Sequence, residues 1–131
     1  MPSTSDTTTL GIRIEVASSF LPERSNEAQK RFFFAYHIRI TNMRDTTTQL
    51  LSRHWIICDG HGHTEEVQGP GVIGEQPILS PGASFEYTSF CPLPTPIGSM
   101  HGTYQMIDLD TDSPFTALIA SFTLASPLAL N

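Results

Sequence analysis

Three groups of residues in this sequence have types and spacings that could do chemistry. The first, Gly69-Pro70-Gly71-Val72-Ile73-Gly74, matches G-x-G-x-x-G. In a dinucleotide-binding unit such glycines leave a strand and open a helix whose N-terminus holds pyrophosphate. Here Pro77 follows Gly74 closely, the segment beyond it reads as extended, and Pro70 removes a backbone donor inside the motif. The motif therefore reads either as a loop whose glycines Gly69, Gly71 and Gly74 give positive φ and close packing, or as a nest of backbone N–H groups for an anion. The second group is Asp59, His61 and His63, with Glu65 and Glu66 just after. Two imidazoles at i and i+2 on an extended chain point the same way and could ligate a metal beside a carboxylate, although a glycine-flanked turn more often carries solvated histidines. The third is a thiol, Cys58 or Cys91, drawn with His54, His61 or His101. Nothing in the sequence brings these together, no G-x-S-x-G elbow is present, and Cys58 reads as a small core residue. Arg53, inside an apolar run, reads as a cation that pins a neighbouring loop, or as one that faces a ligand.

The elements that must position these residues are strands. Ile12, Ile14 and Val16 alternate with Arg13, Glu15 and Ala17, and Phe32, Phe34, Tyr36, Ile38 and Ile40 alternate with Phe33, Ala35, His37 and Arg39. Period two with β-branched and aromatic residues is a half-buried strand. Residues 50–58 are apolar at nearly every position and read as a central strand buried on both faces, with Trp55 at its middle. Further strands are expected at 64–67, 77–80, 84–90, 103–109 and 114–124. Turns are expected at Asp59-Gly60-His61-Gly62, at Pro81-Gly82 and at the acidic stretch Asp108–Ser113, and Pro92, Pro94 and Pro96 stiffen an extended connection. Phe20, Phe33 and Phe90 fit none of the inward faces. The pattern predicts an all-β fold, an immunoglobulin- or fibronectin type III-like β-sandwich of seven to eight antiparallel strands, with a closed barrel as the alternative. Residues 1–9 read as a disordered tail, 10–125 as the sandwich domain and 126–131 as a C-terminal tail.

Composition narrows the function. A chain of 131 residues can bury about two-thirds of its unfolded surface without a disulfide or metal. Seven basic residues, of which only Lys30 is lysine, stand against thirteen acidic ones, for a net charge of −6. Nucleic-acid binding and adsorption to an anionic membrane need a basic face and are not expected. No signal peptide and no apolar run long enough to span a bilayer is visible, so the expected location is cytoplasmic, with both thiols reduced.

At the level of whole segments the chain resembles the ApaG family. The likeness is carried by residues 49–57, by the stretch Glu66 to Pro77 with its glycine loop, by Leu79-Ser80-Pro81-Gly82, and by Phe85-Glu86-Tyr87-Thr88-Ser89. Thr95 to Met100, Tyr104-Gln105-Met106 and Phe34-Ala35-Tyr36 with Ile38-Arg39-Ile40 and Asn42 add to it, so that it covers residues 10–125. The resemblance implies a fibronectin type III-like sandwich and a small bacterial protein linked to cobalt resistance and magnesium efflux. It also implies a domain reused in eukaryotic F-box proteins and in a DNA-polymerase-interacting protein, where it mediates protein contacts. No catalytic residues come with it. The expectation is thus a non-enzymatic interaction module with a role in Co²⁺/Mg²⁺ homeostasis, no cofactor, an unknown protein partner, no membrane insertion, and homo-oligomerisation left open. The alternatives are a binder of pyrophosphate or nucleotide-like anions through the Gly69–Gly74 loop and a substrate-recognition domain of an F-box-type protein. Phe90-Cys91 departs from the family pattern, His61 and His63 lie outside it, and the Ser/Thr-rich start and the Asp108–Asp112 turn are particular to this chain.

Overall fold

A computed structural model describes residues 3–127. They form nine strands: β1 (Ser3–Thr9), β2 (Ile12–Phe20), β3 (Phe32–Asn42), β4 (Thr48–Asp59), β5 (Thr64–Pro70), β6 (Ile78–Leu79), β7 (Ser84–Leu93), β8 (Ile97–Asp108) and β9 (Ser113–Ala125). All pairings are antiparallel. One sheet has the order β1-β2-β3-β7 and the other β5-β4-β8-β9, with β6 also on β4. Their inner faces enclose one core, so the expected β-sandwich is the fold. The alternating residues of β2 and β3 that read as inward are all buried, as are Leu50, Trp55, Tyr104 and Met106 of the opposite sheet.

The disordered tail expected at 1–9 is corrected over 3–9, which pairs with β2 along its whole length. The strand contains no apolar residue, so hydrophobic periodicity could not signal it. It is held by the ladder, by a two-pronged Arg13–Asp6 ion pair at 2.7 and 3.1 Å, and by the Ser3 and Thr9 hydroxyls, which accept amide hydrogens from Thr123 and Leu118 of β9. Those last bonds close one long side of the sandwich. Of the C-terminal tail, Ser126 is buried with its amide on the Pro96 carbonyl, and 128–131 lie outside the described residues.

β5, β7 and β8 each run at least three residues longer than expected, β5 taking Gln68, Gly69 and Pro70 from the expected loop, and β7 and β8 for physical reasons. β7 continues through Pro92 because it is an edge strand, where a missing amide is tolerated. β8 begins at Ile97 although Gly98 and Gly102 weaken its strand signal. A Cβ at Gly98 would come within 2.5 Å of the Cys58 carbonyl oxygen, and one at Gly102 would overlap that of His54. Glycine is needed there because β4 and β8 approach closely. β4 is central but is buried on one face only. Its outer face carries His54, Ile56 and Cys58 half-exposed, since each sheet of a two-layer sandwich keeps one side toward water.

The sheets are tied through the core by Tyr87 of β7 and Tyr104 of β8, whose hydroxyls meet at 2.5 Å. Burial pushes both phenols well above their ordinary range, so both stay neutral. Tyr87→Phe should cost about 1–3 kcal/mol by leaving the Tyr104 hydroxyl unpaired, and Tyr87→Phe/Tyr104→Phe should cost less than the two singles combined. Urea unfolding of the three variants measures this, and strict additivity would show that the hydroxyls are not coupled.

At one end, Asp108 is buried and accepts hydrogen bonds from Thr46, Arg44 and the Asp110 and Thr111 amides. The Thr46 and Arg44 bonds hold its carboxyl well below the usual carboxylate range. The acidic turn is thus fixed by one ion that the β3–β4 and β8–β9 connections share.

Candidate functional site

The glycine motif begins in the last two residues of β5 and continues into the connection toward β6, on the side of β4 away from β8. Gly69 lies in β5 opposite Arg53 of β4. A Cβ at Gly69 would stand 3.1 Å from the Arg53 guanidinium, so the missing side chain lets that group lie across β5. From there Arg53 Nη1 donates to the carbonyls of Pro70 at 3.1 Å and Gly71 at 2.9 Å. The expectation that Arg53 pins an adjacent loop is met, and the pinned loop is the glycine motif itself.

Beyond that anchor the chain makes a tight two-residue turn. Val72 and Glu75 exchange amide-to-carbonyl bonds of 2.8 and 2.9 Å, and the central residues Ile73 and Gly74 have φ of +42° and +80°. Positive φ at both centres is the type I′ hairpin turn, whose usual first residue is asparagine, aspartate or glycine. Here it is Ile73, a β-branched residue strained at positive φ and yet 56% exposed at the tip. Gly71 also has positive φ, and its amide donates to the Leu51 carbonyl. With the Gly71, Val72 and Glu75 amides donated to carbonyls, an anion at this loop would meet the amides of Ile73 and Gly74. The shallow hollow beside them, of about 270 Å³, is lined by Pro70, Gly71, Gly74, Glu75 and Gln76.

Asp59, His61 and His63 come together in the turn after β4. Asp59 Oδ1 accepts from the His61 amide at 2.8 Å and the His63 amide at 3.1 Å, and its other oxygen lies 3.7 Å from His63 Nδ1. Desolvation raises the Asp59 carboxyl, but the two amides and the neighbouring imidazoles outweigh it, and the net shift is downward. The imidazole rings are 6.3 Å apart and tilted by 58°. The chain turns here and is not extended, so the carboxylate is engaged as the organiser of the turn. Among the described residues no three His, Cys, Asp or Glu side chains gather in a group that could hold a metal ion.

The thiol pairings drawn from the sequence are not assembled. Cys91 faces the core from β7, its thiol pushed up to about 11 by burial and then by the charge of Glu65. Cys58 is not the core residue expected; it is half-exposed and its thiol points to the Asp59 carbonyl at 3.6 Å. His54 is paired at 2.7 Å with Glu66, which crosses from the neighbouring strand.

Sequence reasoning missed a cleft of about 280 Å³ where the two sheets part, on the side opposite β1 and β9. Arg53, Trp55 and Ile57 of β4 and Glu65 and Val67 of β5 line one wall; Tyr36 of β3 and Ser89 to Pro92 of β7 line the other. The signal was present in Arg53 two residues before Trp55 on one strand face, but only the pairing of β5 and β7 with their neighbours shows what faces them.

Comparison with known proteins places this architecture. The family model for the ApaG domain matches residues 22–108. Protein ApaG of Anaeromyxobacter dehalogenans is 53% identical over 123 residues, covering 94% of this chain and 96% of that protein. Protein ApaG of Bordetella pertussis is 48% identical over 120 residues, covering 92% and 91%. The crystal structure of the ApaA protein from Bordetella pertussis superimposes with a TM-score of 0.86 at 49% identity, over 88% of this chain and 94% of that one. The C-terminal domain of wzt shares the fold alone, with a TM-score of 0.52 at 10% identity over 93% of this chain and 77% of that one.

Proposed function

The chain belongs to the ApaG family, and from that premise we propose that it is a non-enzymatic protein-interaction module of the cytoplasm. It serves Co²⁺ and Mg²⁺ homeostasis through a partner and does not carry the ion itself. The observation that supports this reading best is Ile73. A β-branched side chain at positive φ is unfavourable for the backbone, and an exposed one adds nothing to the core. A residue that breaks two local rules at once is explained by what it touches outside the chain. The loop suits display, since Arg53 pins its base and the reciprocal Val72–Glu75 bonds close its tip.

Ile73→Asn tests it by moving two readouts in opposite directions. Asparagine tolerates the left-handed region, so the variant should be as stable as the parent or more so, by up to about 1 kcal/mol. Proteins that co-purify with the parent from native lysate should be lost. A stabilised variant that keeps the same partners would overturn the reading. Anion binding through Gly69, Gly71 and Gly74 is the second reading, and it rests on the two uncommitted amides at the tip.

A further inference from the structure

The cleft between the sheets has a cation at one end, an anion at the other and an aromatic middle. Its two charged groups are unpaired: none of the ion pairs among the described residues involves Arg53 or Glu65. Arg53 uses Nη1 on two carbonyls, and its hydrogen bonds leave Nη2 and Nε without a protein partner. Glu65 lies four residues from Gly69 along β5, and Gly69 faces Arg53, so the two residues are offset by about 13 Å along the strand direction. Between them are Trp55, Val67, Tyr36 and Ser89. The larger hollows differ in kind. The one of about 510 Å³ lies on an outer sheet face where Asp6 and His37 are already paired with Arg13 and Glu86 and Arg39 is the one lining charge in no ion pair among the described residues, and the one of about 320 Å³ is lined by His54, which is paired with Glu66, and His101, with no carboxylate or guanidinium.

Both strands that border the cleft are sheet edges. β5 pairs only with β4, and β7 only with β3, so each presents unpaired amides and carbonyls toward the opening. Edge strands accept an extended peptide, which gains main-chain hydrogen bonds while alternate side chains enter the space between the sheets. A guanidinium at one end of such a track fits a terminal carboxylate, and a carboxylate at the other fits an ammonium. In extended form a lysine–small–leucine end puts its first and third side chains on one face and spans about 10 Å, the lysine stem covering the remainder.

We propose that this cleft captures the carboxyl terminus of a partner protein, with the terminal carboxylate on Arg53, the last apolar side chain against Trp55 and Val67, and a basic residue two positions earlier reaching Glu65. The inference rests on the interaction-module reading and names the partner's chemistry. Gly69 belongs to the same device, since a side chain there would displace the guanidinium from its place across β5.

Trp55 is the chain's single tryptophan and a wall of the cleft, so its emission reports occupancy directly. Acetyl-Lys-Ala-Leu with a free carboxylate should shift that emission saturably. Its C-terminal amide should bind at least about tenfold more weakly, since it loses a charge-assisted bond. This comparison uses the unaltered chain and needs no variant to fold. Arg53→Gln should erase the preference for acid over amide, and Glu65→Gln the preference for lysine over methionine at the first position. Equal affinity of acid and amide, or no saturable shift at millimolar peptide, would overturn the proposal. So would acetyl-leucine binding as tightly as the tripeptide, which would make the cleft a site for small free carboxylates. If the peptide fails while Ile73→Asn still loses its partners, this inference falls and the module reading stands. Failure of both tests overturns both.

Discussion

Trp55→Ala should lower the unfolding free energy by about 3–5 kcal/mol, as large-to-small aromatic changes in a core do. Trp55 is 3% exposed at the middle of β4. Its indole meets Tyr36 at 5.4 Å, Phe122 at 5.9 Å and Tyr104 at 6.5 Å between ring centroids, all edge-on. Those rings come from β3, β9 and β8, so a single side chain joins three strands across both sheets. The void would be hard to close. The backbone beside it is fixed by the close approach of β8 at Gly102, and Tyr104 is itself held by Tyr87. A loss of this size is a large part of a small domain's total stability. Trp55→Phe should recover most of it, because a ring still meets the same neighbours. Chemical denaturation of the three proteins decides the matter; a midpoint for the alanine variant equal to the parent's would mean that the aromatic cluster does not hold the sheets together.

That cluster also marks how far the sequence could be read. Alternation in β2 and β3 is written in Ile12, Ile14, Val16 and the aromatic run from Phe32, because a sandwich strand buries every second residue. β1 is not written there, since Ser3–Thr9 gains its place from hydrogen bonds to β2 and β9. β8 was half legible, because the glycines that let it approach β4 are the residues that weaken a strand signal. At the candidate site the residues were legible and their relations were not. Arg53 and Gly69 could each be singled out, but that one is glycine because the other lies across it follows only from their register in β4 and β5. The cleft was invisible for the same reason, as its lining comes from five strands spread from Tyr36 to Met100 along the sequence.

The three glycines of the motif should respond unequally to alanine, and the inequality separates the readings of the loop. Gly71→Ala should be the most costly, at about 2–5 kcal/mol: a left-handed backbone at φ +63° disfavours any Cβ, and this one would overlap the Glu75 carbonyl oxygen. Gly74→Ala should cost about 1–2 kcal/mol, since φ is +80° but nothing lies within 4 Å of the added carbon. Gly69→Ala carries no positive-φ strain, and its Cβ meets only the movable end of Arg53, so its main effect should fall on the cleft. Urea unfolding of each variant gives the order. Equal costs at Gly71 and Gly74 would mean that the turn relaxes and that the reciprocal Val72–Glu75 bonds do not fix it. A pyrophosphate titration of the parent and of Gly74→Ala completes the test, because that variant should remain folded with an open face. A saturable site in the parent that vanishes in Gly74→Ala, with Ile73→Asn still binding its partners, would assign the tip amides to an anion. Absence of saturable pyrophosphate binding leaves Gly71 as the residue that lets the chain turn back on Glu75, and Gly74 as the one that completes the turn presenting Ile73.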